Sequence, residues 1–267
     1  MISTIKLTKK DLFKKFLKII CIATFWILVW EIASRLVSRN NELLLLILPS
    51  PFTVFKKWCE LAFTLPFIKA TFFTLLRIFS GFILGLLFGI LFGVVTHISK
   101  IVYSLFSPIL KIIRSVPVVA IIILMYLFFE SSTLPILIVS LMVIPIIWQT
   151  VHDGLNGTDI KLIEMAKVFS LSNTQTLIKV KLPHIYPTLV TAGVNALGLA
   201  WKSGVAAEVI CLPNISLGTL LWQGKGNVDY DVVYAITITV IVLSILIEFF
   251  LKFLCDKYFF NGGIVND

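Results

Sequence analysis

Residues 71–96 read TFFTLLRIFSGFILGLLFGILFGVVT, an apolar stretch with a single charge, Arg77. A helix needs about 20 apolar residues to cross the hydrocarbon layer of a bilayer. A backbone in that layer must also satisfy its own hydrogen bonds, which a helix does. The stretch therefore predicts a membrane-spanning helix. Within it Gly81, Gly85, Gly89 and Gly93 recur every four residues. Such positions share one helix face, so the four glycines form a groove bare of side chains into which a second helix fits closely. That second helix could belong to the same subunit or to a moving or oligomeric interface.

The composition continues outward from this stretch. Hydrophobic residues make up 58% of the 267-residue chain and charged residues only 14%, too few charges to cover a soluble domain of this size. Intrinsic disorder is excluded by the same hydrophobicity. Six spans are expected: Phe16–Val37, Thr71–Thr96, Val116–Phe129 with the apolar lead-in Ile101–Ile113, Leu134–Val151, Ile185–Ile210 and Val232–Leu254. Pro108 and Pro117 are expected to break the third into an entry helix and a span. The fold class is all-α and polytopic, with a single transmembrane domain over 16–267. Before it, residues 1–15 form a basic arm in which Leu12, Phe13, Phe16 and Leu17 recur at helical spacing among lysines, suited to an anionic inner leaflet.

The net charge of +9 belongs to membrane orientation rather than to nucleic acid, because Lys and Arg cluster at span ends. With the N-terminus inside, 15 of the 23 fall on the inside, 5 (Arg39, Lys56, Lys57, Lys69 and Lys225) on the outside, and Arg35, Arg77 and Lys202 within spans. This bias predicts both termini in the cytoplasm. The outside loops are Ser38–Ala70, with the rigid Leu48-Pro49-Ser50-Pro51 turn and a short helix over Thr53–Phe63, and Cys211–Tyr230. The largest inside loop is 152–184.

Ionisable residues inside spans are costly in hydrocarbon and call for a partner. Glu31 and Arg35 are one turn apart and pair at the surface; Arg77 is placed to snorkel; Glu248 is paired or near the interface. Lys202, Ser203 and Glu208 lie deep in the fifth span and are candidates for a pathway or gate; a structural pair or an interface is the equal alternative for Lys202 and Glu208. Lys202 and Glu208 are about 240° apart around a helix, so either the helix is distorted near Ser203-Gly204 or each has its own partner. Lys202 is expected beside the path and Glu208 nearer an outer gate. Catalytic constellations are lacking. His97, His152 and His184 are far apart in sequence, and Cys21, Cys59, Cys211 and Cys255 are scattered, isolated and mostly buried thiols. There is neither a metal-ligand pattern nor a phosphate-binding GxxxxGK[ST]. The chain is expected to hold no cofactor and, unaided, to hydrolyse no ATP.

The inside loop carries Glu164-Met165-Ala166-Lys167-Val168-Phe169-Ser170, then Val180-Lys181-Leu182-Pro183. This resembles the "EAA" signature of ABC-importer permeases: Glu-Ala-Ala, three residues, Gly, then Leu-Pro. Met165 replaces the first Ala and Ser170 the Gly; Ser is small and common in turns, which keeps the bend. Leu48-Pro49-Ser50-Pro51 with Val54, Leu76-Arg77 with Gly81-Phe82, Arg114-Ser115-Val116-Pro117, and Trp201 with Ala206-Ala207-Glu208 are similar to the nitrate/sulfonate/taurine branch of that family. The resemblance covers Leu48 to Leu254 and implies a type I importer permease fold. It implies a second permease subunit, read as a homodimer. It also implies a cytoplasmic ATPase dimer using ATP and Mg, an extracytoplasmic substrate-binding protein and a lipid environment. Helices around Lys161–Phe169 and Asn173–Lys181 would present Met165, Ala166, Phe169 and charged neighbours to the ATPase, with Glu164, Ser170, Leu182 and Pro183 completing the coupling set. The expected solute is a sulfonate-, nitrate- or taurine-like anion; a thiamine precursor or related heterocycle is the alternative within the class. A self-sufficient secondary transporter is the alternative outside it, and predicts ion sites in several spans and inverted repeats. A scaffold without transport would not need Lys202 and Glu208 in the bilayer.

Overall fold

The computed structural model describes residues 9–40 and 47–255; most of the expected basic arm lies outside them. Every regular element among the described residues is helical. Four helices are long and apolar enough to cross a membrane, and a bent pair makes a fifth crossing if its two halves are taken as one span. Two compact units divide the chain, one within Met1–Thr64 and Gln223–Thr237, the other within Leu65–Trp222 and Ile238–Asp267.

In the first unit, α1 (Lys9–Asn40) and α2 (Pro51–Ala62) are joined through the rigid turn expected at Leu48-Pro49-Ser50-Pro51. The Ser34 hydroxyl donates to the Leu48 carbonyl (2.8 Å) and the Trp30 indole to the Pro49 carbonyl (3.1 Å). Ser50 caps α2 by accepting from the Thr53 amide at 3.2 Å, and Pro51, which needs no partner for an N–H, occupies the first turn. Helix α2 thus begins two residues earlier than expected. On α1, Glu31 and Arg35 pair at 2.6 Å on an exposed face.

The second unit is built on α3 (Leu65–Ile98) and α6 (Leu134–Asn156), which pack side by side and run in the same direction. All four glycines of the repeat are buried against α6. A Cβ on Gly81, Gly85, Gly89 or Gly93 would stand 2.5–2.8 Å from atoms of the facing turn, with Val139, Val143, Ile147 and Val151 opposite in order. The groove is therefore filled by the same subunit, and β-branched side chains are what it receives.

Between these helices, α4 (Lys100–Ser115) and α5 (Val118–Tyr126) form the bent pair, turning by 105°. The break is at Pro117, with Val116 extended before it (ψ 135°), as a residue preceding proline prefers. Pro108, expected to break the helix as well, sits inside α4 without interrupting it. Helix α6 is the most buried of the candidate spans. It is followed by α7 (Ile160–Val168), α8 (Asn173–Thr176), a π-helical turn over Leu177–Lys181, and α9 (Leu182–Cys211). The expected separate helix over Asn173–Lys181 thus runs directly into the span. Pro183 has no N–H, and its ring excludes the carbonyl four residues back; the ladder widens at that turn, where the Leu182 amide reaches the Leu177 carbonyl. Helices α10 (Leu217–Gly226) and α11 (Tyr230–Cys255) complete the described residues. Helix α9, the expected fifth span, has 30 residues, about 45 Å at 1.5 Å each. Part of its surface is packed inside the unit: Gly204 lies against Ile78 and Val139, and the Trp201 indole donates to the Val240 carbonyl at 3.1 Å.

Candidate functional site: a buried charge cluster and an extramembrane coupling segment

Glu208 is fully buried. Its carboxylate accepts from the Thr74 hydroxyl at 2.8 Å, from the Arg77 guanidinium at 3.2 Å and from the Gly218 amide at 3.4 Å. Arg77 also donates to the Ile215 carbonyl at 2.8 Å, and Thr74 accepts from the Leu217 amide at 3.0 Å. Two charges that would be costly apart are thus neutralised and hydrogen-bonded together, and α3, α9 and the start of α10 meet on them. The carboxylate lies at the N-terminus of α10, where free amides favour an anion.

This arrangement bears on three expectations. Arg77 does not snorkel; it is the counter-ion of Glu208. Helix α9 is not broken at Ser203-Gly204, so Lys202 and Glu208 do take separate environments. Ser203 and Glu208 do not line an open path in this state: Ser203 is buried and donates to the Leu199 carbonyl of its own helix at 2.9 Å, whereas Lys202 is exposed. Sequence reading missed Thr74 and Gly218. A Cβ on Gly218 would be 2.5 Å from that of Glu208, so only glycine lets α10 approach the carboxylate. No pattern in the sequence marks either residue. Beside the cluster, Phe73, Arg77, Glu130, Ser131, Ser132, Asn214 and Ile215 line a cavity of about 460 Å³. Of the cysteines, only Cys211 is buried.

In the 152–184 loop, Asp159 caps α7 by accepting from the Lys161 amide at 2.9 Å. The C-terminal end is closed by two bonds, the Ser170 amide to the Lys167 carbonyl (2.9 Å) and the Leu171 amide to the Ala166 carbonyl (3.0 Å). This is the Schellman arrangement, which places one residue in the left-handed region. That residue is Ser170, with φ 52°, at the position where the resemblance expects glycine. Side chains other than glycine lose about 1–2 kcal/mol there. Ser170→Gly is therefore expected to raise the thermal unfolding midpoint of the purified protein, and Ser170→Val to lower it; equal midpoints would show that the turn relaxes freely.

Three coupling residues expected on one surface divide. Met165 and Phe169 are exposed, but Ala166 is buried and is not presented. Val168, which the sequence reading passed over, is 81% exposed and takes its place. Glu164 and Pro183 are exposed and Leu182 is half-buried. The histidines also differ from their sequence reading: His97 and His152 each hydrogen-bond Asn156, at 2.7 and 3.0 Å.

The family described as the binding-protein-dependent transport system inner membrane component matches residues 85–258, which include α6, the coupling segment and α9. The chain belongs to this family. The permease is 28% identical over 236 residues to the taurine transport system permease protein TauC of Escherichia coli, covering 86% of this chain and 82% of that protein. It is 31% identical over 222 residues to an E. coli permease named for aliphatic sulfonate transport, SsuC, with 82% of both chains covered. Among solved structures, an inward-facing MetNI methionine ABC transporter superposes with a TM-score of 0.62 over 72% of the permease and 95% of that chain, at 21% identity. A bacterial alginate ABC transporter covers 93% of the permease with a TM-score of 0.61 at 17% identity. These two establish the type I ABC importer permease fold; the family match, with the apolar helices, makes the permease a multi-pass membrane protein and a transport subunit.

Proposed function

We propose that the permease forms half of the translocation pathway of an ATP-driven importer for a small organic anion of the sulfonate class. Its partners are a second copy of itself, a separate cytoplasmic ATPase dimer that uses ATP and Mg, and an extracytoplasmic substrate-binding protein. Both termini lie in the cytoplasm of a bacterial cell membrane. The observation that carries this reading is the apolar surface of Met165, Val168 and Phe169 on a short capped helix outside the apolar spans. Exposed apolar groups of this size on such a helix call for a protein partner, and the segment has the Glu164 to Pro183 spacing of an ATPase-docking signature. Lys202 supports the second copy: an exposed ammonium on a membrane helix needs water or a facing subunit. The names of the sulfonate and taurine relatives support the anion.

The test replaces Val168 with Asp, and separately Glu164 with Lys, in the reconstituted complex of permease, ATPase and binding protein. Both variants should insert normally and lose uptake about tenfold or more, the equivalent of one lost contact of about 1.4 kcal/mol, while ATP hydrolysis no longer responds to the binding protein. Coupled uptake at the unsubstituted level in both would overturn the docking assignment. A bulky residue at 166 is expected to unfold the segment itself.

A further inference from the structure

A chain of side-chain hydrogen bonds runs from the interior of the α3–α6 pair to the coupling segment. The Lys181 ammonium lies 3.1 Å from His97 Nε2, His97 Nδ1 lies 2.7 Å from Asn156 Oδ1, Asn156 Nδ2 lies 3.0 Å from His152 Nε2, and His152 Nδ1 lies 3.1 Å from Thr96 Oγ1. Thr96 donates in turn to the Phe92 carbonyl at 2.7 Å and accepts from the Trp148 indole at 2.9 Å. Tyr103 of α4 stacks on His152 with ring centres 4.4 Å apart and fixes its plane.

The chain has one consistent direction. An ammonium only donates, so His97 Nε2 must accept and Nδ1 carries the proton. Nδ1–H then donates to the Asn156 carbonyl, whose amide donates to His152 Nε2, leaving Nδ1–H of His152 to donate to Thr96. Every link is satisfied only while both imidazoles are neutral with the proton on Nδ1. A proton added to His97 puts an N–H against the Lys181 ammonium; a proton added to His152 puts one against the Asn156 amide. Either opens the chain. The charged groups facing it are Lys181 from the π turn and Asp153 beside His152 on α6; the rest of the cavity at Lys181 is lined by Ile98, Ile163, Asn173, Thr174, Thr176 and Leu177.

We infer that His97, His152 and Asn156 are positioning residues that lock the coupling segment to the membrane helices, and that the lock opens when the cytoplasmic side is acidified. The coupling part rests on the importer reading; the protonation pattern does not. Burial holds both imidazoles below the ordinary value of about 6.5, and the Lys181 ammonium lowers His97 further, so uptake per ATP hydrolysed should hold at pH 7.5 and fall only well below the free-imidazole range, at pH 5. Loss of one hydrogen bond to a charged donor corresponds to a fall of about tenfold. His97→Gln offers a donor and an acceptor that do not titrate and should hold its ratio within twofold between the two values. His97→Leu should be low at both. Dividing by ATP hydrolysed and comparing variants with the same partners removes the ATPase's own pH response. A His97→Gln profile that follows the unsubstituted one overturns the proposal. The second measurement uses the full permease alone in lipid nanodiscs with 15N-labelled histidine. Of its three imidazoles, those lost in His97→Gln and in His152→Asn should be the Nδ1–H tautomer at pH 7.5. Finding Nε2–H at either overturns the relay whether or not the reconstituted complex transports. A complex with no uptake at any pH contradicts the importer reading instead, and the tautomers then decide the relay.

Discussion

Replacing Glu208 with alanine is expected to destabilise the protein by about 3–5 kcal/mol, the cost of leaving one member of a buried pair behind. Arg77 would keep its charge with only the Ile215 carbonyl at bonding distance, and the Thr74 hydroxyl and Gly218 amide would lose their acceptor. Glu208→Gln keeps the shape and the acceptor oxygen and should cost less. Removing both charges, with Arg77→Met and Glu208→Met together, should cost less than the sum of the single changes, because residues in one network are not additive. Thermal unfolding of the purified variants, the two single Met changes included, reads all five. An additive cycle would mean that the two charges do not stabilise one another.

The second large effect is expected at the glycine groove. Gly85→Ala puts a methyl group 2.6 Å from the Val143 Cβ and 3.0 Å from the Ser140 carbonyl. The helices must separate, and overpacking of this kind costs about 1–3 kcal/mol. Gly85→Leu should exceed that. The partner identifies the cause: Val143→Gly removes the clashing Cβ and should recover part of the loss, whereas Val143→Ala leaves that Cβ in place and should not. Equal unfolding midpoints for Gly85→Leu and the unsubstituted protein would place this face toward lipid.

Most of the fold was legible because apolar run length and glycine spacing are local signals. The position of the third crossing's break was half legible. Two prolines were visible, but only Pro117 has an extended residue before it, while Pro108 is tolerated inside α4. The buried cluster was legible by one member. Glu208 stood out because a charge in a span needs explanation, yet its partners Arg77 and Thr74 lie more than 130 positions away in sequence. Arg77 close to a span end looks the same whether it snorkels or turns inward. The coupling segment was legible as a spacing and not as a surface: which of Met165, Ala166 and Val168 faces outward depends on how α7 is rotated against the body. His97 and His152 were not legible as a pair, since Asn156, which joins them, carries no signal of its own.

The match between the glycine repeat and the β-branched row has a further consequence. Both have a period of four, so sliding α3 past α6 by one turn would still oppose three of the four glycines to Val or Ile. Steric fit by itself leaves that translation nearly degenerate. What removes the degeneracy is non-periodic and polar: the Thr96 to Trp148 and His97 to Asn156 bonds near one end, and Arg77 near the other, which a one-turn slip would move toward Val139 and away from its acceptors. The repeat holds the two helices close, and the hydrogen bonds at its ends select a single alignment.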